Sequence, residues 1–359
     1  MIPLVHPCRA EGRDRFVTRL KYHASEESDG ADSVLISRSG DTAIFAGDHG
    51  LIEIGALSDD PIDGDVIAVD PLNNTAERLL RFNSRQNTFL ITERCDQLCV
   101  MCSQPPKKTH IDRFAEFTQA ALLAPMGETI GLSGGEPTLF KDQLLSMIEQ
   151  VLTQRPDLSF HILSNAQHFE DADIERLSAL LFSKVTWGIP LYSHDAARHD
   201  TVVAKTGAYD RLMQSFGRLL RAGAQIELRT VVLTDNLGDF PELARFVATH
   251  LGFCVQWSIM QLENIGFAKN RFADLYVQHE DRFEPIAEAI DVATLFGIPV
   301  SLFNFARCSV PSNYRDHAVP SISDWKRKFP SACNICTEQA LCSGFFEWHP
   351  DSMAKVIPL

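Results

Sequence analysis

The chain has 359 residues, of which 45% are hydrophobic and 22% are charged. This composition is typical of a globular protein, and the length fits one large domain with appendages. The formal net charge of −14 opposes extended contact with nucleic acid or anionic lipid, because affinity for phosphates grows with the number of cations offered. No apolar run is long enough to cross a membrane, and the start of the chain lacks the pattern of a secretory signal. We therefore expect a cytoplasmic protein that binds neither nucleic acid nor a membrane.

The nine cysteines, an odd number, are distributed unevenly along the chain. Seven of them fall into two spaced groups, one near residue 100 and one in the C-terminal part. Spaced groups of this kind favour metal or cluster binding over disulfides. Cys8 and Cys254 stand apart from both groups, and we interpret them as packing residues.

Residues 1–86 predict a small β-rich domain. Short apolar runs recur between turn residues, at 34–37, 42–45, 50–54 and 66–69. The Asp63-Gly64 pair before the last run is typical of a hairpin turn. We find no catalytic constellation in this segment.

From residue 87 the pattern changes to strands that alternate with helical periods, which indicates parallel strands joined by helices. The predicted strands are 88–91, 129–132, 160–163, 184–191, 225–233 and 254–260. Six strand-helix units predict an α/β fold, a partial (β/α)6 barrel that is open, unlike the closed eight-unit barrel. In such a fold the chemistry lies at the carboxyl ends of the strands. We assign this barrel to residues 87–270.

Residues 271–359 are predicted to form a C-terminal extension. A helical period runs to residue 296, a short strand follows at 298–303, and the remainder is irregular and bears cysteines. A tail of this length without a core of its own would gain stability from a ligand that cross-links it.

Cys95, Cys99 and Cys102 form a C-x3-C-x2-C motif shortly after the first predicted barrel strand. Thiolates are soft ligands that iron prefers, and this spacing lets three of them hold three corners of a 4Fe-4S cluster. The fourth iron then has no protein ligand and is open to a small molecule. A structural zinc site is the alternative, but zinc takes four ligands and no fourth lies nearby in the sequence.

A second motif, Ser133-Gly134-Gly135-Glu136-Pro137, follows the second predicted barrel strand. Two glycines let the backbone approach a ligand closely, and their N–H and C=O groups, with the Glu136 carboxylate, are suited to hold an ammonium group. An ordinary strand-to-helix turn is the alternative interpretation. Both motifs come at the carboxyl end of a strand, so we expect loops that are distant in the sequence to meet at one rim.

Together these motifs resemble those of the radical S-adenosylmethionine (SAM) enzymes. Within that superfamily, the run from Thr92 to Lys107 most resembles the C-type maturase of the His-Xaa-Ser peptide system, and the likeness includes the tail segments 321–325 and 342–346. The resemblance implies a 4Fe-4S cluster bound by the three cysteines and by SAM. It also implies reductive cleavage of SAM to a 5'-deoxyadenosyl radical.

The resemblance further implies a set of contacts to SAM. These contacts are assigned to Met101, Ser133, Gly134, Gly135, Glu136, Pro137, Ser164, Asn165 and Arg229. Met101 stands where many relatives have an aromatic residue beside the adenine, and a thioether can still cover an apolar ring face. Arg229 offers a fork for a carboxylate, and a structural ion pair within the barrel is the alternative.

The fourth predicted strand leads into His194-Asp195, which His199-Asp200 follows. A His-Asp pair is typical of a general base. Radical abstraction needs no base of this kind, so we favour a structural role for this loop and assign no catalytic residue.

The tail cysteines, Cys308, Cys333, Cys336 and Cys342, are expected to hold a second metal group. The C-x2-C-x5-C spacing of the last three resembles the auxiliary cluster domain called SPASM, but Phe346 stands where that pattern continues with another cysteine. Four thiolates suffice for one auxiliary 4Fe-4S cluster, and a zinc site made of the same four is the rival.

By resemblance, the function is oxidative modification, in particular cross-linking, of a ribosomally made precursor peptide with His-Xaa-Ser repeats. The second cluster would accept the electron left after hydrogen abstraction. The implied partners are this peptide, a second radical SAM maturase of the same system, and an electron donor such as flavodoxin or ferredoxin. Three alternatives stay open: a radical SAM enzyme acting on a small molecule in cofactor biosynthesis, a non-catalytic iron-sulfur scaffold, and a zinc-binding interaction module.

Overall fold

The structure is a computed structural model that describes residues 2–24, 30–57 and 61–359. The chain divides into two compact units. The first unit comprises Met1–Ile91, Ile111–Ser133 and Phe140–His161, and the second comprises Thr92–His110, Gly134–Leu139 and Ile162–Leu359. The predicted division of the sequence after residues 86 and 270 stays a prediction.

The predicted β-rich N-terminal segment forms a closed seven-stranded barrel. Its strands are β1 (Val5–Ala10), β2 (Phe16–Lys21), β3 (Asp32–Ser39), β4 (Thr42–Gly47), β5 (Gly50–Ile54), β6 (Val66–Asp70) and β7 (Thr75–Leu80). They pair in the order β1-β5-β4-β3-β2-β6-β7, and β7 pairs with β1 to complete the ring. The β2–β3 pair is parallel, whereas the other pairs of the ring are antiparallel.

The interior of this barrel is apolar. Phe45, Ile52 and Ile54 are at most 1% exposed, since alternate residues of a strand face the same side. The hairpin predicted at Asp63-Gly64 is wrong: β6, which follows this pair, is bonded to β2 and β7 and not to β5. Ring closure therefore places strands side by side that are not consecutive in the sequence.

A second sheet has seven strands, with at least one helix between each consecutive pair. Its strands are β8 (Thr88–Thr92), β9 (Thr129–Gly134), β10 (Ser159–Leu163), β11 (Val185–Pro190), β12 (Gln225–Val231), β13 (Gln256–Met260) and β14 (Val300–Phe303). The helices are α1 (Phe114–Leu122), α2 (Lys141–Gln154), α3 (Asp173–Leu177), α4 (Ala196–Val203), α5 (Ala208–Arg221), α6 (Phe240–His250), α7 (Phe272–Leu275) and α8 (Glu284–Leu295).

The predicted α/β class and open barrel are confirmed. The sheet order runs from β14 to β8 in reverse sequence order, as expected for repeated strand-helix units. The six predicted strands correspond to β8 through β13, and β14 extends the sheet beside β13. Because parallel strands point the same way, the loops after these strands share one edge of the sheet.

Helix α5 shows why these segments are helical. Its apolar residues Leu212, Phe216 and Leu219 recur at intervals of four and three, and each is at most 2% exposed. Arg218 and Arg221 lie in its last turn, where the helix dipole favours positive charge.

After β14 the chain consists of short 3-10 turns and a two-stranded antiparallel sheet, β15 (Arg327–Lys328) and β16 (Phe345–Phe346). Two of the tail cysteines, Cys333 and Cys342, are buried in this part. The tail is therefore irregular, as predicted, and its sulfur atoms form part of its interior. Every helix of the described residues is too short or too polar to span a membrane.

Candidate functional site

The three cysteines of the first motif lie on the loop after β8, where they are free and partly exposed. Two backbone hydrogen bonds fix this loop to the end of α4. The N–H of Leu98 donates to the carbonyl of Val203 at 3.2 Å, and the N–H of Val100 donates to that of Val202 at 2.9 Å. A strand therefore leads into the loop, and a helix end holds its middle.

Burial controls the acidity of these thiols. It is the main cause that raises the pKa of Cys95 and of Cys99 to about 12, and charges on neighbouring groups, including the other cysteines, add to it. Burial also raises the pKa of Cys102. Thiolates at these positions require nearby positive charge, which the iron ions of a cluster would supply. Three soft sulfur donors on one loop fit such a group.

Gly134 and Gly135 bring the second motif against the start of the cysteine loop. The Gly135 N–H donates to the Thr92 carbonyl at 2.7 Å. A Cβ on Gly134 would lie 2.1 Å from the Thr92 carbonyl oxygen, and one on Gly135 would lie 2.1 Å from that of Arg94. Both positions require glycine because backbone atoms cannot yield that far. The structure thus brings the two motifs together. The two glycines allow the backbone of the second motif to pack against the backbone at the start of the cysteine loop.

The flanking residues of this motif lie in regular structure. Ser133 belongs to β9 and is partly buried. Pro137 is buried and begins the 3-10 turn Pro137–Phe140, which leads directly into α2. The motif therefore bridges the end of a strand and the start of a helix.

The Glu136 carboxylate connects loops inside the protein. It is fully buried and accepts hydrogen bonds from the Thr138 N–H at 2.9 Å, the Ser164 hydroxyl at 2.8 Å and the Asn165 N–H at 2.6 Å. Burial raises the pKa of the Glu136 carboxyl, and these donors partly offset the rise. The side chain therefore joins the loop after β9 to the loop after β10.

Asp96, between the first two cysteines, is a charged residue that sequence reasoning missed. Its carboxylate accepts a hydrogen bond from Asn165 Nδ2 at 2.8 Å, lies 3.2 Å from His168 Nε2, and contacts Lys205 Nζ. Burial opposes ionisation of Asp96, but the bonds from His168, Lys205 and Asn165 outweigh it and hold its pKa well below the ordinary value. The position of Asp96 between two cysteines of the motif was the one sign of its importance in the sequence. Its partners lie far away in the sequence, so their contacts with Asp96 could not be predicted.

Met101 and Arg229 have protein neighbours in the structure. Met101 is 7% exposed and belongs to an apolar cluster that includes Tyr192 and Val203. Arg229 Nη1 donates to both carboxylate oxygens of Glu227, at 2.8 and 3.0 Å. The structure therefore contains the ion pair that was the alternative for Arg229, and the SAM contacts assigned to both residues stay predictions.

The His-Asp loop after β11 makes structural contacts. Asp195 caps α4 by accepting a hydrogen bond from the Arg198 N–H at 2.8 Å. His199 is 1% exposed, accepts a hydrogen bond from the Tyr192 N–H at 3.4 Å, and lies between two tyrosine rings. Burial lowers the pKa of His199 to about 4. These contacts support the structural interpretation of this loop.

All four tail cysteines line one cavity of about 340 Å³, a volume that includes open space at its mouth. The N–H groups of Arg307 and Gly344 each donate to Cys342 Sγ at 3.3 Å. Burial raises the pKa of Cys308 and of Cys333, and charge on the neighbouring tail cysteines raises both further. Cysteine sulfur is a ligand type of both an iron-sulfur cluster and zinc, and four cysteines are the number that either would need. Within the described ranges, no group of three or more His, Cys, Asp or Glu side chains has the arrangement of a metal-ion site.

Comparisons with solved structures show a general likeness. Streptococcus suis SuiB bound to S-adenosylmethionine is 15% identical, with a TM-score of 0.49 and coverage of 60% of this chain and 49% of SuiB. A radical SAM methyltransferase from Sphaerobacter thermophilus is 14% identical, with a TM-score of 0.45 and coverage of 76% of this chain and 77% of the other. Native anSMEcpe with bound AdoMet and the Cp18Cys peptide is 12% identical, with a TM-score of 0.46 and coverage of 60% and 62%.

The match with SuiB spans about half of the SuiB chain. No curated protein sequence matches this chain. One family model does match, the model described as the Radical SAM superfamily, over residues 89–247. These residues include both motifs, the strands β8 to β12 and the residues that Glu136 and Asp96 hold together. This part of the chain, residues 89–247, is therefore similar to the Radical SAM superfamily.

Proposed function

We propose that the protein is a radical SAM enzyme that oxidatively modifies, by a cross-link, a ribosomally made precursor peptide with His-Xaa-Ser repeats. One observation supports the first part: the cysteine loop and the Gly-Gly-Glu-Pro motif meet at strand ends within the residues that match the Radical SAM superfamily model. The resemblance of Thr92–Lys107 and of the tail segments supports the peptide as substrate. Acting on a small molecule is the alternative, and the peptide-maturase-like tail argues against it.

Cys95, Cys99 and Cys102 would hold a 4Fe-4S cluster through their sulfur atoms. With SAM bound, this cluster would supply a one-electron cleavage that yields a 5'-deoxyadenosyl radical, able to take hydrogen from an unactivated C–H bond. The chain itself supplies rigidity. Bonds from Leu98 and Val100 to the end of α4 hold the backbone of the cysteine loop in place, which limits the conformations that the loop must search when it binds a cluster.

The residues assigned to SAM differ in the part that they can play. Gly134 and Gly135 leave backbone groups beside the cysteine loop, where an amino group of SAM would be held. Both oxygens of Glu136 accept bonds from protein donors, so we infer that Glu136 positions the loop. Asn165 lies between Glu136 and Asp96 and would present its remaining polar groups to the ribose or the carboxylate.

The tail would bind a second metal group through Cys308, Cys333, Cys336 and Cys342. We favour an auxiliary 4Fe-4S cluster over zinc because of the resemblance, and the shared cavity is compatible with both. The proposed partners are the peptide, a second radical SAM maturase, and flavodoxin or ferredoxin as electron donor. The division into residues 1–86, 87–270 and 271–359 and a cytoplasmic location belong to the same proposal.

Anaerobic reconstitution with iron and sulfide tests the central part of the proposal. The wild-type protein, reduced in the presence of SAM, should form 5'-deoxyadenosine, and Cys95→Ala/Cys99→Ala/Cys102→Ala should reduce its formation at least a hundredfold. Cys254→Ala is the matched control, because Cys254 is buried and lies outside both cysteine groups. Undiminished 5'-deoxyadenosine formation by the triple variant would remove the basis of the proposal.

Mass spectrometry of incubated peptides tests the substrate. A peptide with His-Xaa-Ser repeats should lose two hydrogen atoms, as expected when one new bond replaces two bonds to hydrogen. A peptide with the same composition in scrambled order is the control. If deoxyadenosine forms but neither peptide changes mass, the small-molecule alternative is preferred.

A further inference from the structure

A second cavity lies within the Ile162–Leu359 part of the chain. Its volume is about 340 Å³, which includes the open space at its mouth. Gln261 follows β13 directly and Asn304 follows β14 directly, and both line the cavity. Ala306 and Phe345 line this cavity and also the four-cysteine cavity. The space is therefore at the carboxyl end of two parallel strands, where open α/β sheets bind ligands.

One side of this cavity is already hydrogen-bonded within the protein. Gln261 Nε2 lies 2.7 Å from His279 Nδ1, and His279 Nε2 lies 2.8 Å from the Ser309 hydroxyl. That hydroxyl donates to the Ala306 carbonyl at 2.7 Å. These groups form a continuous chain, so they do not require a ligand.

Two other residues of the lining each have a buried polar atom with no hydrogen-bond partner among the residues that the structure describes. These atoms are Glu280 Oε2 and His349 Nε2. His349 is only 6% exposed, and burial lowers its pKa, which favours the neutral ring with an acceptor nitrogen. A buried polar group without a partner is destabilising. A ligand that donates to both atoms would remove that cost.

Aromatic rings form much of the remaining wall. The His349 ring centroid lies 5.7 Å from that of Tyr276 and 5.2 Å from that of Phe345, and Phe346 is also part of the lining. Ring faces attract cations, and an ionised carboxylate attracts them more strongly. The wall therefore combines two acceptor atoms with ring faces, a chemistry that selects a small cation with N–H groups over an anion or a neutral molecule.

We propose that this cavity, the Glu280 pocket, lined by Gln261, Tyr276, Glu280, Asn304, Phe345 and His349, binds a small protonated nitrogen group. Resting on the proposed function, we assign that group to the substrate peptide, as a basic side chain or a terminal amine. The pocket then fixes the peptide beside the four-cysteine cavity. Ordered water is the competing occupant, since water also donates to unpaired acceptors.

Saturation-transfer NMR on the reconstituted full-length protein tests the pocket with methylammonium chloride as the probe. Sodium chloride keeps the ionic strength constant, and methanol serves as the neutral molecule of similar size. We expect saturable methylammonium binding that is at least tenfold weaker in Glu280→Gln and changed less than twofold in Glu284→Gln. Glu284 is exposed and lies outside the pocket, so this control loses the same charge.

His349→Phe provides a second test that keeps an aromatic wall and removes the nitrogen. It should also weaken methylammonium binding at least threefold, whether or not Glu280→Gln folds. No saturable binding to the wild type, equal binding of methanol, or equal losses in the two glutamine variants would overturn the proposal. The first two of these results would leave water as the occupant.

This titration needs neither peptide nor turnover, so its failure differs from failure of the proposed function. If the wild type forms no 5'-deoxyadenosine, the proposed function fails while the pocket remains tested. If the peptide reaction occurs, Glu280→Gln should raise the KM of the peptide at least tenfold with a smaller change in kcat. An unchanged KM would refute the assignment of the pocket to the substrate.

Discussion

Single residues join the cysteine motif to the Gly-Gly-Glu-Pro motif, and the atoms around these residues leave little room for another side chain or conformation. Gly135 lies where a Cβ would overlap the backbone of Arg94, and Glu136 receives donors from three residues. Neither constraint involves a ligand. The fit between the two motifs is therefore built into the polypeptide itself, which preorganises the site before any cofactor arrives.

Gly135→Ala should disturb this fit. The added Cβ would lie 2.1 Å from the Arg94 carbonyl oxygen, and overpacking of this kind costs about 1–3 kcal/mol. We expect a matching loss in the free energy of unfolding, measured by urea denaturation, and weaker SAM binding in equilibrium dialysis. Gly217→Ala is the control, because nothing lies within 4 Å of its Cβ position in α5 and alanine should stabilise the helix by about 0.5–1 kcal/mol. Equal stability of Gly135→Ala and wild type would contradict the close approach.

Glu136→Gln should be destabilising although it keeps the size of the side chain. An amide puts an N–H₂ group where the carboxylate now accepts bonds, so at least one of the donors from Thr138, Ser164 or Asn165 loses its acceptor. We expect the free energy of unfolding to fall by about 1–3 kcal/mol. Chemical denaturation of Glu136→Gln beside Glu284→Gln, an exposed position with the same chemical change, measures it. Identical midpoints for the two variants would show that the buried bonds are unimportant.

The residues of the site divide into those that the sequence reveals and those that it does not. Spacing and residue type found the three cysteines and the second motif, because their chemistry is local. The Asp96–Lys205 pair joins residues 109 positions apart, and no local pattern predicts such a contact. The role of Glu136 was likewise hidden, since two of its donor residues, Ser164 and Asn165, come from a different loop.

At the scale of elements, α4 supports the cysteine loop. Its last two residues accept the backbone bonds of Leu98 and Val100, and its first turn is capped by Asp195. Loss of this cap would weaken the start of α4, and the whole helix would fray, because helices of this length are only marginally stable on their own. The cysteine loop therefore depends on a side chain that lies at the opposite end of the helix.

Asp195→Ala should cost about 1 kcal/mol in the free energy of unfolding, and Asp195→Ser, which keeps a capping oxygen, should cost less than half as much. Amide hydrogen exchange gives a local measurement: the N–H groups of Leu98 and Val100 should exchange faster in Asp195→Ala than in Asp195→Ser. Equal exchange in both variants would separate the cap from the loop.

The helices and strands also show how much of the secondary structure the hydrophobic periodicity of the sequence predicts. All six barrel strands were predicted, since buried parallel strands leave apolar runs bounded by turns. The short run at 298–303 was recognised as a strand, but its place beside β13 was not. The hairpin prediction at Asp63-Gly64 was wrong because strand pairing in a closed barrel can join strands that are distant in the sequence, as β6 pairs with β2.

For the whole molecule, two buried histidines predict acid sensitivity. Burial lowers the pKa of His199 and of His279 to about 4, from an ordinary value near 6.5. The unfolded chain therefore takes up these protons first as the pH falls. Their contribution to stability is complete above about pH 6.5 and is lost progressively as the pH falls toward 4.

Urea denaturation between pH 7 and pH 5 should show this loss. Each histidine contributes a slope of at most about 1.4 kcal/mol per pH unit. His199→Gln/His279→Gln should flatten the dependence, even if the double variant is less stable at every pH. A wild-type stability that does not change over this range would show that neither histidine is neutral and buried in the folded protein.

The closed ring at the N-terminus restricts how a peptide could be recognised. Among the described residues, each strand of that barrel has two bonded neighbours, so no strand of the ring is a free edge strand. β-Augmentation, in which a ligand adds a strand to a sheet edge, would require an existing pair to open. If this barrel binds the precursor peptide, we expect side chains and loops to make the contacts, so that recognition depends on the peptide's sequence more than on main-chain hydrogen bonding.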